Sequence, residues 1–197
     1  LLVFSRILAP ASKKGTFEDR GFYFEDFRDF SLDDVYHALD VICANNEALQ
    51  KWIYDHSEKI CGRDLSVSYF DCTNYYFDIG RSDVDTLDEE GRPVDKNGNS
   101  VPAKYRKRGP EKNHRPDPIV EMGLLMDRNG IPLAFDLFPG NESEKVHMRP
   151  VINRIKNEFS DSRIIFVADR GLNTSDNIYY LNGDNKGDIN TRDGYVY

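Results

Sequence analysis

The chain has 197 residues, 39% of them hydrophobic and 12% aromatic, with a formal net charge of −8. That composition excludes a disordered polar chain, and nothing approaches the roughly 18 consecutive apolar residues of a membrane-spanning helix. The acidity argues against a wholly basic nucleic-acid binder, unless a catalytic cluster of carboxylates or a basic segment elsewhere accounts for it.

The length suits one domain with a substantial core, or one domain with a helical appendage. Cys43, Cys61 and Cys72 are odd in number and form no close pair, so neither a disulfide framework nor a zinc site is expected. With no signal peptide in view, a reducing cytoplasm is the default. The chain begins without Met on LLVFSRI and stops on GYVY, in the middle of a strand-like pattern, so a fragment of a longer protein is expected.

Residues 1–30 are mixed and show no clean period. From Ser31, an N-cap with Asp34 three residues on, Val35, Ala38, Leu39 and Ile42 recur at helical spacing. A second helix starts at Asn45 or Asn46, carries Leu49, Trp52, Ile53 and Ile60, and closes at Gly62. This sets residues 1–62 apart as a mainly helical segment, for which core packing is a better reading than a DNA-side accessory role.

The remainder, 63–197, reads as an α/β core. A strand over 65–77 is followed by a Gly-, Asp-, Asn-, Pro- and Lys-rich connection at 79–116. A second strand over Ile119–Met126, a tight turn at Asp127–Gly130 and a returning strand over Ile131–Phe138 predict a hairpin. A helix opening at Ser143 or Glu144 meets Pro150 about two turns in, which predicts a kink or a later start. Ile164–Ala168 is a fourth strand, Thr174 caps a short helix, and Tyr195–Tyr197 begins a fifth strand. Three consecutive strands, a helix, a strand, a helix and a further strand predict a ribonuclease H-like mixed sheet flanked by helices. The first and fourth strands then lie side by side at its centre.

Each of those two strands carries an aspartate. Asp71 interrupts the aromatic run LSVSYFDCTNYYFD, and Asp169 ends the apolar run RIIFVADRG. A buried carboxylate costs several kcal/mol unless it is paired, hydrogen-bonded or bound to a cation. Taken singly, Asp71 reads equally as a strand-end cap, and Asp169-Arg170-Gly171 as a turn with an internal ion pair. Taken together on adjacent strands, two carboxylates repel, and a cation makes the arrangement favourable. Hard oxygen ligands select Mg²⁺ or Mn²⁺. Such a site suits an in-line displacement at a phosphodiester.

The chain resembles the DDE-type transposases of bacterial insertion sequences, in the branch with a ribonuclease H-like catalytic domain. The matching stretches are YFDCTNYYFD around Asp71, HRPDPIVEMGLLMDRNGIPLAFDLFPGNESE from His114 to Glu144, and IIFVADRGLNTSDNI around Asp169. The resemblance implies that Asp71 and Asp169 are the first two metal ligands. It implies a third, a glutamate on a later helix beyond Tyr197, for which Glu121, Asp127 and Asp136 are no substitute. The chain is therefore expected to be catalytically incomplete. It also implies double-stranded DNA as partner, a homodimer for the full-length protein, and a nucleoid-associated place in the bacterial cytoplasm. Lys104, Arg106, Lys107, Arg108, Lys112, His114 and Arg115 are candidate phosphate contacts, with a solvated loop an even alternative. Asn141, after Pro139-Gly140, is a candidate DNA contact by hydrogen bonding near the metal or else shapes the turn, and Arg170 is a candidate contact to the scissile phosphate or else balances Asp169. Two other classes compete: a truncated relative that only binds DNA, and an aspartate-nucleophile phosphatase, disfavoured because Asp71-Cys72-Thr73 lacks the second aspartate of that chemistry.

Overall fold

The computed structural model describes residues 1–23, 29–110, 116–158, 163–182 and 193–197. They form two compact units, Leu1–Ile53 and Tyr54–Tyr197. The first unit is helical: α1 (Leu2–Leu8), α2 (Lys13–Glu18) continuing into a 3-10 turn at Asp19–Phe22, and α3 (Leu32–Ala44). Ser31 caps α3 through a reciprocal box: its Oγ accepts from the Asp34 amide at 3.2 Å, and its own amide donates to the Asp34 carboxylate at 2.7 Å. The Ser31 amide thereby holds the Asp34 carboxyl below its usual range. Helix α4 (Asn46–Cys61) spans the division between the units and ends at Gly62, whose φ of 63° is the left-handed conformation that stops a helix.

The second unit contains β1 (Val67–Tyr76), β2 (Thr86–Leu87), β3 (Pro93–Val94), β4 (Ile119–Met126), β5 (Pro132–Pro139), α5 (Glu144–Glu158), β6 (Ile165–Ala168), α6 (Ser175–Asn182) and β7 (Gly194–Val196). The five-stranded sheet has the order β5-β4-β1-β6-β7, with β5, β4 and β1 antiparallel and β1, β6 and β7 parallel. This is the ribonuclease H-like mixed sheet that the element order predicts. Strand β1 alternates as a half-buried strand should: Ser68, Phe70 and Cys72 turn inward, Tyr69, Asp71 and Thr73 outward.

The inward side chains meet Leu125, Phe138 and Phe166 from neighbouring strands, Met148, Ile152 and Ile155 from α5, and Leu181 from α6. Each such side chain contributes about 1.5–3 kcal/mol of burial. That gain explains a departure from expectation at Pro150. The helix starts at Glu144, not later, and Pro150 lies inside it. An internal proline forfeits one helix hydrogen bond, a cost near 3 kcal/mol. Burial of Met148, Val151, Ile152 and Ile155 on either side of it offsets that cost.

The described part of the connection, 79–110, is more regular than its composition suggests, because one five-residue turn is used twice there and once in the main sheet. In Asp88–Arg92, Asp95–Asn99 and Asp127–Ile131, the first residue's carboxylate accepts from the amides two and four residues on, at 2.7–3.1 Å. The fourth residue is a glycine at φ 79°, 82° and 76° respectively. Such Asp–Gly turns fold from local chemistry alone. Asp88–Arg92 joins β2 to β3, and Tyr105–Gly109 then returns to the core: Lys107 bridges Ile119, and the Gly140 amide donates to the Tyr105 carbonyl at 3.1 Å. A Cβ added at Gly109 would lie 1.6 Å from the Gly140 carbonyl oxygen, so this crossing of two backbones admits only glycine.

Candidate functional site

The β1–β6 ladder pairs Val67 with Ile165, Ser68 with Phe166, Tyr69 with Val167 and Phe70 with Ala168. Asp71 and Asp169 are the next residues on each strand, and Asp169 keeps extended backbone, with φ −66° and ψ 149°. Adjacent strands lie about 4.8 Å apart, so the register makes the two aspartates neighbours. Strand alternation directs both away from the Phe70 side of the sheet, and both are exposed.

The Asp71 carboxylate accepts from the Cys72 amide at 2.8 Å, and the Asp169 carboxylate from the Gly171 amide at 3.5 Å, at the start of the 3-10 turn Arg170–Leu172. Among the described residues neither takes part in a salt bridge. The internal Asp169–Arg170 pair, the alternative suggested by the sequence, is thus not seen. Two exposed carboxylates whose charge no cationic side chain neutralises are a donor set suited to a hard divalent cation. They supply only part of a coordination shell. Among the described residues, no group of three or more His, Cys, Asp or Glu side chains could hold a metal ion.

The other acidic residues of the sheet stay out of this pair for identifiable reasons. Glu121 is opposite Asn74 on the inward face, only 2% exposed, and accepts from the Asn74 amide nitrogen at 2.9 Å. Asp127 is buried against Arg63 at 2.7 Å. Asp136 pairs with Gly123 on the inward face, and its carboxylate accepts from the Leu137 amide.

Beside the Arg170–Leu172 turn lies an open, polar cleft of about 440 Å³, lined by residues that include Pro110, Glu121, Asn141, Ser143, Lys145 and Gly171. Asn141 is therefore brought close to the Asp169 turn, although it lies 28 residues earlier in the chain. His147, one turn into α5, is largely covered. Its side chain is 16% exposed, its ring stacks on Phe138 at 3.8 Å, and its Nε2 lies 2.8 Å from Glu142.

The basic stretch is placed differently from a bare patch. Arg106 forks onto Asp83 at 2.7 Å, and Lys107 reaches Asp85 at 2.6 Å. The Arg106 side chain holds the Asp83 carboxyl below its usual range, and Lys107 does the same for Asp85. Lys104 donates to the Val84 carbonyl and Arg108 to the Gly80 carbonyl, each at 2.8 Å. No local pattern marks these contacts, because the partners are 20 to 28 residues apart. Lys112, His114 and Arg115 lie outside the described residues. Arg170 is exposed immediately beyond Asp169.

No protein-family model and no curated protein matches this sequence. Among solved structures, it is similar to the Mos1 mariner paired end complex with Mn: TM-score 0.33, 12% identity, 77% of this chain and 41% of that one covered. It is also similar to the Mos1 transposase paired-end complex with left transposon end, at TM-score 0.31 and 14% identity, over 92% of this chain and 55% of that one. For a pre-cleavage Mos1 transpososome the values are 0.28 and 12%, over 86% and 51%. The chain thus spans about half the length of the solved structures it matches. At this level of similarity, superposition assigns neither a residue role nor a reaction. No helix among the described residues is long and apolar enough to cross a membrane.

Proposed function

We propose that this chain is part of the catalytic domain of a DDE-type transposase, which cleaves DNA at element ends and joins a 3′-hydroxyl to target DNA. One observation carries the reading: the parallel β1–β6 register stops one residue short of Asp71 and Asp169, leaving two un-neutralised carboxylates side by side at the centre of a ribonuclease H-like sheet. The likeness of the three stretches around Asp71, His114–Glu144 and Asp169 to bacterial insertion-sequence transposases supports the choice of reaction.

In this reading Asp71 and Asp169 hold Mg²⁺ or Mn²⁺. When bound, such an ion activates a water or a 3′-hydroxyl and stabilises the leaving oxygen. Asp71 lies on strand β1, Asp169 directly follows strand β6, and Arg170, exposed, directly follows Asp169. There its charge serves to bind the scissile phosphate. Asn141, across the cleft, is a neutral hydrogen-bonding partner for the DNA backbone. Lys104, Arg106, Lys107, Arg108, Lys112, His114 and Arg115 form the proposed phosphate-binding flank. Arg106 and Lys107 must exchange Asp83 and Asp85 for phosphate, which makes them the weaker members. The family's third carboxylate and its homodimer are part of the proposal for the whole protein, as is an origin in a bacterial insertion sequence. This chain alone is expected to bind the cation without turnover, which leaves a DNA-binding relative without catalysis as the second reading.

Calorimetric titration of Mn²⁺ into the chain and into Asp71→Asn tests this. Binding by the chain that is lost in the variant is expected. Superimposable isotherms remove Asp71 as a ligand and the transposase reading with it.

A further inference from the structure

Asn177, in α6, is fully buried at 0% exposure. Its backbone amide is capped by Thr174 Oγ1 at 3.2 Å. Its side-chain nitrogen donates twice, to the Leu172 carbonyl at 2.9 Å and to the Lys145 carbonyl at 3.1 Å. Leu172 closes the turn that Asp169 opens, since its amide donates to the Asp169 carbonyl at 2.9 Å. Lys145 belongs to the first turn of α5 and lines the cleft. A single carboxamide therefore joins the turn that carries one candidate metal ligand to the helix start that forms the cleft wall. Its Oδ1 is buried with no hydrogen-bond partner among the described residues. Space-filling alone is better served by leucine, which strands no buried acceptor.

We infer that Asn177 is a positioning residue for the proposed metal centre, acting through the Asp169–Leu172 turn to set where the Asp169 carboxylate stands relative to Asp71. This rests on the metal-site reading given above. Asn177 touches neither cation nor DNA. It clasps two backbone carbonyls, and removing its donors lets the turn and the cleft wall move independently.

The test compares Asn177→Leu, which keeps the volume and removes both donors, with Leu181→Ala, which weakens the same helix and leaves the clasp intact. Two quantities are read on the full chain: amide hydrogen exchange without metal, and Mn²⁺ affinity. In Asn177→Leu the amides of Leu172 and Asn173 are expected to exchange about tenfold faster, the equivalent of one lost hydrogen bond, while those of β1 and β4 stay as they were. Mn²⁺ affinity is expected to fall about tenfold, as for other residues that orient a metal ligand. Leu181→Ala is expected to lower the melting temperature and change neither quantity. Unchanged exchange at the turn overturns the clasp, and loss of affinity in both variants in proportion to their stability overturns the positioning role. If the unaltered chain binds no Mn²⁺, the proposed function fails, and the exchange data still decide the clasp. Should Asn177→Leu not fold, the side-chain amide protons of Asn177 in the unaltered chain are read instead. Slow exchange there supports the clasp and fast exchange overturns it.

Discussion

Two carboxylate environments in the same sheet differ in almost every respect. At the β4–β5 turn, Asp127 is 0% exposed and receives the Asn129 and Ile131 amides on one oxygen and the Arg63 guanidinium on the other. Arg63 also donates to Ser57 at 2.6 Å and to the carbonyls of Ile131 and Pro132 at 3.0 and 2.8 Å. At the β1–β6 junction, Asp71 and Asp169 each accept one backbone amide, stand in the open, and repel one another. The first arrangement uses charge to close a turn. The second leaves two like charges at the surface without a cationic partner among the described residues.

The sharpest way to break the contrast is Asp127→Ala. It strands a buried guanidinium and releases two turn amides, and unfolding in urea is expected to show a loss of about 3–5 kcal/mol. A change below 1 kcal/mol would mean that Arg63 finds water and that the closed environment is no different from the open one.

A smaller effect isolates the turn from a buried ion pair, since Asp95 has no cationic partner among the described residues and the Arg92–Asp88 pair, at 2.8 Å, is local and largely exposed. Asp88 and Asp95 build the same turn at the surface, and their carboxyls are held below the usual range, chiefly by the Arg92 amide for Asp88 and by the Asn99 side chain for Asp95. A carboxyl depressed in the folded state contributes stability that is present above its unfolded value, near 3.9, and is lost as pH falls through the folded value. Acid titration followed by NMR should therefore give midpoints below about 3.9 for both, with the Gly91 and Gly98 amide resonances moving in step. Midpoints at or above the unfolded value would show that the turns are not held by these carboxylates.

The smallest expected change in stability is that of Asp71→Asn, which removes a repulsive charge from an exposed position. Without metal, its melting should match the unaltered chain within about 0.5 kcal/mol or lie slightly above it. A large loss would make Asp71 a structural residue like Asp127 and erase the difference between the two environments.

Much of this was legible from residues alone, wherever neighbours in sequence settle the matter. The Ser31–Asp34 cap, the Gly62 stop, the hairpin at Asp127–Gly130 and the strand patterns each depend on contacts within a few residues, so their chemistry is written locally. The order of those elements also determined that the strands bearing Asp71 and Asp169 lie side by side. Tertiary structure alone decided which carboxylate is sealed and which stays open. Asp127 differs from Asp95, which has no cationic partner among the described residues, and from Asp88, whose Arg92 partner is local and exposed, because Arg63, 64 residues earlier, reaches it in a buried pair. The basic stretch lost its bare charge to Asp83 and Asp85 for the same reason, as Asn177 acquired its clasp on Leu172 and Lys145. A long-range ion pair or a buried amide is selected by packing, and packing leaves no period in the chain for a reader to find.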